Sequence, residues 1–317
     1  MAPKVLIATR SFGSTSPKPL QLLKDAGAEV VWVDASSPSV QEDILELVPE
    51  ISAIIVGLVP ITEKIFETSR KLKIVTMYGV GVNHIDLKAA QRKGVIVTNC
   101  PGSNDQAVAD LTMGLMLAVA RNIPQIDRDI REGDWKKYLG GELWQKKLGL
   151  IGLGNIAKGV AYRAKGFDMQ LTAYDPYASA EVAKVHGISL VSFEEVITES
   201  DFVSLHAPLT EETNSMFGAE QFKKMKSTSY LINTARGGLV DEQALYVALS
   251  KGEIAGAGLD VFIEEPLRNS KLVELKNVVL TAHTGTHTKE SIERMGIMAV
   301  ENVLQVLRDD TPTNRIV

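Results

Sequence analysis

KLGLIGLGNIA, residues 147–157, is the stretch on which the fold turns. An apolar run, Leu148 to Ile151, leads directly into Gly152-Leu153-Gly154-Asn155-Ile156-Ala157, and a helical pattern then runs to Gly166. Strand, G-x-G-x-x-G/A turn and helix in immediate succession are the phosphate-binding corner of a βαβ unit. In that reading Gly152 makes the tight turn, Gly154 lets the backbone approach a pyrophosphate, and Ala157 keeps the helix close to its strand. Asn155 and Ile156 open the helix, whose first amides and partial positive charge suit phosphate oxygens. Gly152, Gly154, Asn155 and Ile156 are thus candidate cofactor contacts.

Asp175 lies 23 residues beyond Gly152, at the end of LTAYD (171–175). An acid at this place accepts hydrogen bonds from a ribose 2′-hydroxyl; an Asp before Pro176 also starts turns on its own account. With strand, glycines, helix and acid all in order, the dinucleotide reading carries more weight than the plain turn. The carboxylate repels a 2′-phosphate and Pro176 supplies no cation, so NAD is expected over NADP.

Outward from this corner the alternation continues. MQLTAYD (169–175), FVSLHAP (202–208), SYLINTA (229–235), AGAGLDVF (255–262) and NVVLTAH (277–283) read as strands, and a last helix spans Lys289 to about Leu307. Upstream, KVLIAT (4–9), EVVWVDA (29–35), AIIVG (53–57), KIVTMYG (73–79) and VIVTNC (95–100) alternate with amphipathic segments in the same way. Strands alternating with helices mean parallel sheets, and continuous Val/Ile/Leu strands mean sheets covered on both faces. The expected fold is α/β, with two doubly wound parallel-sheet domains and a cleft between them. Asn104 to about Arg121 reads as a helix apolar nearly all round, hence buried on every side. A core helix between domains and a face turned to a second subunit both fit it. Pro124 to Trp144, with Trp135, Tyr138 and Trp144 among charges, reads equally as an arm reaching a partner or as a surface helix.

Bulk properties narrow the function. At 317 residues about two domains are expected. A net charge of −5 with no long basic run leaves nothing with which to track phosphates, so nucleic acid is not an expected partner. No apolar stretch approaches the ~20 residues of a membrane span. The single cysteine, Cys100, cannot form an intrachain disulfide, which suits a reducing compartment and a cytoplasmic protein.

Three ionisable residues follow strands of the second series: Arg236, Glu265 and His283. Parallel strands share a carboxyl edge, where doubly wound folds bind ligands. Taken singly these residues read as a loop cation, a solvated acid and a capping or core histidine. Together they suit hydride chemistry on a 2-oxo acid. An arginine fork holds a carboxylate and polarises the neighbouring carbonyl. An imidazole exchanges a proton with the oxygen at C2, and a carboxylate beside it fixes its tautomer and favours its protonated form.

These motifs resemble the NAD-dependent D-2-hydroxyacid dehydrogenase family, which includes phosphoglycerate, glyoxylate/hydroxypyruvate and D-lactate dehydrogenases. The resemblance is carried by YGVGVNHIDL (78–87), NCPGSNDQAVADLTMGLMLAVAR (99–121), LGLIGLGNIAKGVA (148–161), HAPLT (206–210), NTARGGLVDEQAL (233–245), GLDVFIEEP (258–266) and TAHTGTHT (281–288). It implies catalytic roles for Arg236, Glu265 and His283. It implies that backbone amides of Val80 and Gly81 receive the substrate carboxylate beside Arg236, that Asp260 holds the nicotinamide carboxamide, and that His206, Pro208 and Ala235 line the cofactor. It also implies a Rossmann NAD domain, 100–287, inserted in a flavodoxin-like substrate domain, 1–99 and 288–317, with hinges near Cys100 and His287, and a homodimer. His287 is expected on the surface and Cys100 as a packed residue.

One departure bears on substrate. Where phosphoglycerate dehydrogenases usually carry arginines for the substrate phosphate, this chain has Gly57 and Met77. No regulatory domain is expected beyond Val317. Leu58, Val59, Met77 and Tyr78 indicate a modest, largely apolar pocket. A small unphosphorylated 2-oxo or 2-hydroxy acid, of the hydroxypyruvate or glyoxylate type, is the expected substrate. D-3-phosphoglycerate dehydrogenase is the alternative, and an NAD-sensing corepressor-like binding protein the alternative of another class.

Overall fold

A computed structural model describes residues 2–317 and divides the chain into two compact units: residues up to Asn104 together with Thr286–Val317, and Asp105–Gly285. These divisions lie five residues after and two residues before the expected limits at 99/100 and 287/288. Residues 100–104 stay with the first unit because the Cys100 N–H donates to the Gly79 carbonyl at 2.7 Å and the Ser103 carbonyl accepts from Arg294 Nε at 2.9 Å, whereas the helix Asp105–Ala120 packs on the second sheet and the Gly285 amide is bonded to Asp260.

The first unit holds five parallel strands, β1 (Lys4–Ala8), β2 (Glu29–Trp32), β3 (Ala53–Val56), β4 (Ile74–Met77) and β5 (Ile96–Thr98), in the order β2-β1-β3-β4-β5. That is the flavodoxin-like doubly wound order. The period of two along each strand sorts its residues between two cores. Val5, Ile7, Ala53 and Ile55 face Leu23 and the last helix, Lys289–Leu307, through Ile292, Met295 and Val303. Leu6, Ala8, Ile54 and Val56 face the opposite layer, with Ile44, Ile65, Phe66 and Ala90. The C-terminal helix therefore completes a sheet built from the N-terminal third of the chain.

The second unit holds seven parallel strands: β6 (Lys147–Ile151), β7 (Gln170–Tyr174), β8 (Ser189–Leu190), β9 (Phe202–Leu205), β10 (Tyr230–Asn233), β11 (Gly256–Leu259) and β12 (Val278–Leu280). Their order, β12-β11-β10-β9-β6-β7-β8, is the Rossmann order extended by one strand, with its switch point between β6 and β9. β8 has only two residues, too few to show a periodicity in sequence.

The helix Asp105–Ala120 departs from the expected all-round burial. Gln106, Asp110 and Gly114 form an exposed stripe four residues apart, and Asp110 accepts a hydrogen bond from Arg163 Nε at 2.6 Å. The segment after it is a surface helix over part of its length. A helix, Ile123–Arg131, is followed by extended chain in which Trp135 is 84% exposed. Buried Asp129 ties the two together by accepting hydrogen bonds from Tyr138 Oη (2.6 Å) and Gln125 Nε2 (2.7 Å). Among the described residues no helix is long and apolar enough to cross a membrane.

Candidate active site

The glycine corner follows β6. Gly152 has φ +90, and a Cβ there would come within 2.9 Å of the His206 and Ala207 backbone, so both its conformation and its packing require glycine. Gly154, which caps the helix Asn155–Ala164, is different. Its φ of −73 suits any residue, and no atom lies within 4 Å of where its Cβ would be. Nothing within the chain requires glycine at 154, and the backbone there is open to the approach of a ligand. Gly154 and Asn155 are exposed and Ile156 partly so, in keeping with an open helix terminus.

Asp175 follows β7 and is partly buried. Its Oδ2 accepts the Leu153 N–H at 2.8 Å, and its Oδ1 the Tyr177 N–H at 2.8 Å. The second bond is the turn that the sequence allowed; the first ties the acid to the glycine corner. A carboxylate has about four acceptor sites, so this one is held in place with capacity left for ribose hydroxyls. The donor set and the open backbone at Gly154 fit a dinucleotide without a 2′-phosphate.

Across the switch point, His206 and Pro208 follow β9. His206 Nε2 lies 2.9 Å from Ser204 Oγ, and burial pushes the ring's pKa down to about 4, so the imidazole is neutral at physiological pH. Pro208 is exposed, and its carbonyl accepts the Thr213 hydroxyl at 2.7 Å.

Arg236, Glu265 and His283 follow β10, β11 and β12, three neighbouring strands, and the fold brings them to one edge. His283 Nδ1 lies 2.7 Å from Glu265 Oε2, and Glu265 Oε1 accepts the Phe262 N–H at 3.0 Å. Burial by itself would raise the Glu265 carboxyl. The bond to His283, the His283 charge, the Phe262 amide and Arg236 together outweigh it and hold the pKa below the ordinary value. Burial lowers the Arg236 pKa, opposed by the charge of Glu265; a guanidinium so displaced is still cationic. The loops of Arg236 and Glu265 meet backbone to backbone, because a Cβ on Gly237 would lie 1.9 Å from the Phe262 carbonyl carbon.

His283 has φ +51, the left-handed region that a non-glycine residue enters only at a cost. Asp260 holds it there. The His283 N–H donates to the Asp260 carbonyl at 2.8 Å, while the Asp260 carboxylate, 1% exposed, accepts from Thr281 Oγ1 (2.6 Å), the Thr284 N–H (2.8 Å) and the Gly285 N–H (2.8 Å). Asp260 therefore binds both flanks of the histidine. Asn233, at the end of β10, is equally buried, and its side chain is bonded within the Ala235–Arg236 turn. Sequence reasoning passed over Asn233. The available signal was a carboxamide at the last position of an otherwise apolar strand, three residues before the arginine.

In the first unit, Val80 and Gly81 follow β4. Val80 is 38% exposed, and neither N–H donates to an acceptor among the described residues. Met77 is buried, and a Cβ on Gly57 would lie 2.9 Å from Thr9 Oγ1, so position 57 is closed by its neighbour. Cys100 is fully buried, its Sγ 3.3 Å from the Met77 carbonyl, and burial pushes its thiol up to about 12. His287 is exposed.

The family profile described as "D-isomer specific 2-hydroxyacid dehydrogenase, NAD binding domain" matches residues 113–285. A D-3-phosphoglycerate dehydrogenase of Methanocaldococcus jannaschii is 43% identical over 290 residues, 90% of this chain; the chain spans 55% of that relative's length. A glyoxylate reductase of Thermococcus litoralis is 40% identical over 326 residues, covering all of this chain and 97% of that protein. Among solved structures, the TT0316 protein of Thermus thermophilus superposes with a TM-score of 0.91 at 37% identity, covering 99% of this chain and 100% of that one.

Proposed function

This chain belongs to the D-2-hydroxyacid dehydrogenase family, and on that premise we propose that it interconverts a small unphosphorylated 2-oxo acid, hydroxypyruvate or glyoxylate, with its D-2-hydroxy acid. The observation that carries the proposal is the 2.7 Å pairing of His283 with Glu265 beside the Arg236 loop, at the ends of adjacent strands. Bound NAD supplies or accepts the hydride. The residues Gly152, Gly154, Asn155, Ile156, His206, Pro208 and Ala235 would line it, Asp175 would hold its ribose, and Asp260 would face its carboxamide.

Arg236 binds the substrate carboxylate and its guanidinium polarises the C2 carbonyl; in the first unit the backbone amides of Val80 and Gly81, which donate to no acceptor among the described residues, are the candidate substrate-binding groups. His283 Nδ1 is committed to Glu265, which leaves Nε2 to give a proton to the C2 oxygen in reduction and to remove one in oxidation. Glu265 sets the tautomer and stabilises the ring when it carries both protons. The absence of a cation at Gly57 and Met77 supports the unphosphorylated substrate, since a desolvated phosphate without a partner is costly. The identity to phosphoglycerate dehydrogenases keeps 3-phosphoglycerate as the second reading. The exposed Trp135 and Leu139 support a homodimer, and the lone buried thiol of Cys100 supports the cytoplasm.

NADH oxidation with glyoxylate, hydroxypyruvate and 3-phosphohydroxypyruvate tests the proposal. Turnover of the first two at higher kcat/KM than the third is expected. NADH binding without turnover of any oxo acid would point to a sensing protein instead.

A further inference from the structure

Resting on the dehydrogenase reading, we propose that Asn233 is a positioning residue for Arg236, acting through the turn that carries the guanidinium. A buried carboxamide is costly unless its polar atoms are paired. Asn233 is 1% exposed, and both its side-chain atoms are spent on one turn: Oδ1 accepts the Ala235 N–H at 3.0 Å, and Nδ2 donates to the Arg236 carbonyl at 2.8 Å. Its own carbonyl accepts the Asp260 N–H at 2.9 Å, which ties the base of the turn to the end of β11. The remaining freedom of the turn is removed nearby. Thr234 Oγ1 lies 2.9 Å from Thr112 Oγ1, itself bonded to the Val108 carbonyl, and Gly237 rests on the Phe262 backbone.

The guanidinium is referenced to the same turn, because Arg236 Nη1 donates to the Ala235 carbonyl at 2.6 Å. Ala235 thus accepts from the arginine at its carbonyl and donates to Asn233 from its amide. If the carboxamide is lost, the peptide between 234 and 235 is free to rotate, and the carbonyl that steadies the guanidinium turns with the neighbouring backbone. Both polar atoms of the Asn233 side chain are spent within the turn, so its effect on the reaction passes through Arg236.

The test is a double-mutant cycle in steady-state reduction of glyoxylate and hydroxypyruvate, with NADH affinity and Tm measured for each protein. Asn233→Ala should lower kcat/KM by about 10²-fold, the scale of a small misplacement of a positioned group, through both KM and kcat and with NADH affinity retained. In the Arg236→Ala background the same replacement should change kcat/KM by less than about threefold, because the group it acts through is gone. Equal losses in the two backgrounds, or a loss traced to NADH affinity, overturn the positioning role. Should Asn233→Ala not fold, Asn233→Asp repeats the cycle: it keeps the acceptor and the shape but sets a carboxylate oxygen against the Arg236 carbonyl. A wild-type protein that reduces no oxo acid overturns the dehydrogenase reading as well, whereas an active wild type with equal losses overturns this inference alone.

Discussion

His283 presents Nδ1 to Glu265 Oε2 at 2.7 Å from a backbone held at φ +51. The direction of the imidazole is therefore set twice, by a carboxylate on one ring nitrogen and by a left-handed main chain that Asp260 pins on both sides. A proton carrier fixed in this way loses little orientational freedom at the moment of transfer.

His283→Ala should lower kcat for oxo-acid reduction by about 10²- to 10⁴-fold while leaving NADH affinity near its wild-type value. Stopped-flow turnover and fluorescence titration separate the two quantities. Near-normal turnover in this variant would require another acid.

Glu265→Gln tests the partner through pH. The Glu265 pKa lies below its ordinary value, so the carboxylate is ionised throughout the neutral range and stabilises a protonated His283. Reduction consumes that proton. With glutamine the stabilising charge beside the ring is lost, and the alkaline limb of kcat/KM for reduction should move toward acid. An unmoved limb would show that the carboxylate does not control the proton.

Asp175→Ala should narrow the preference for NADH over NADPH, since it removes both the acceptor for the ribose hydroxyl and the charge that repels a 2′-phosphate. The ratio of kcat/KM values for the two cofactors is the measurement. A wild type that prefers NADPH would contradict the role given to this residue.

Substrate size is testable on the first unit. Position 57 is closed by Thr9 and Met77 is buried, but Leu58 is 59% exposed and has room for a longer side chain. Leu58→Arg should improve 3-phosphohydroxypyruvate relative to hydroxypyruvate, by about tenfold for one charge-assisted bond of roughly 1.5–3 kcal/mol partly offset by solvent. Efficient reduction of the phosphorylated acid by the unaltered protein would overturn the small-substrate proposal.

His206 carries a prediction about stability. Its folded pKa, about 4, lies below the 6.5 of the free side chain. Above 6.5 the ring is neutral in both folded and unfolded chains; as pH falls from 6.5 to 4, only the unfolded chain takes up the proton, and stability declines. His206→Asn should flatten the urea midpoint across that window. An unchanged acid dependence would place its origin elsewhere.

Much of this was legible without coordinates, and for a physical reason. Two parallel sheets announce themselves through apolar runs of four or five residues, because strands covered on both faces must be apolar throughout. The glycine corner is local: a tight turn, a backbone left open and a helix start lie within KLGLIGLGNIA itself. Arg236, Glu265 and His283 could be named because each follows a strand, and parallel strands deliver their ends to one edge. The two-residue strand β8 and the exposed stripe of Gln106, Asp110 and Gly114 were not legible, since one is too short for a pattern and the other depends on what the helix packs against. The bonds that orient the site belong to the tertiary structure alone. Asn233 reads in sequence as an ordinary polar residue at a strand end, and Asp260 reads through the family resemblance as a contact for the nicotinamide; their carboxamide and carboxylate become clamps only when β10, β11 and β12 lie side by side, with loops folded over them where water is excluded. A sequence displays what each residue does to its neighbours along the chain, whereas hydrogen bonds such as that from Gly285 to Asp260, 25 residues apart, exist only once the sheet has closed that distance.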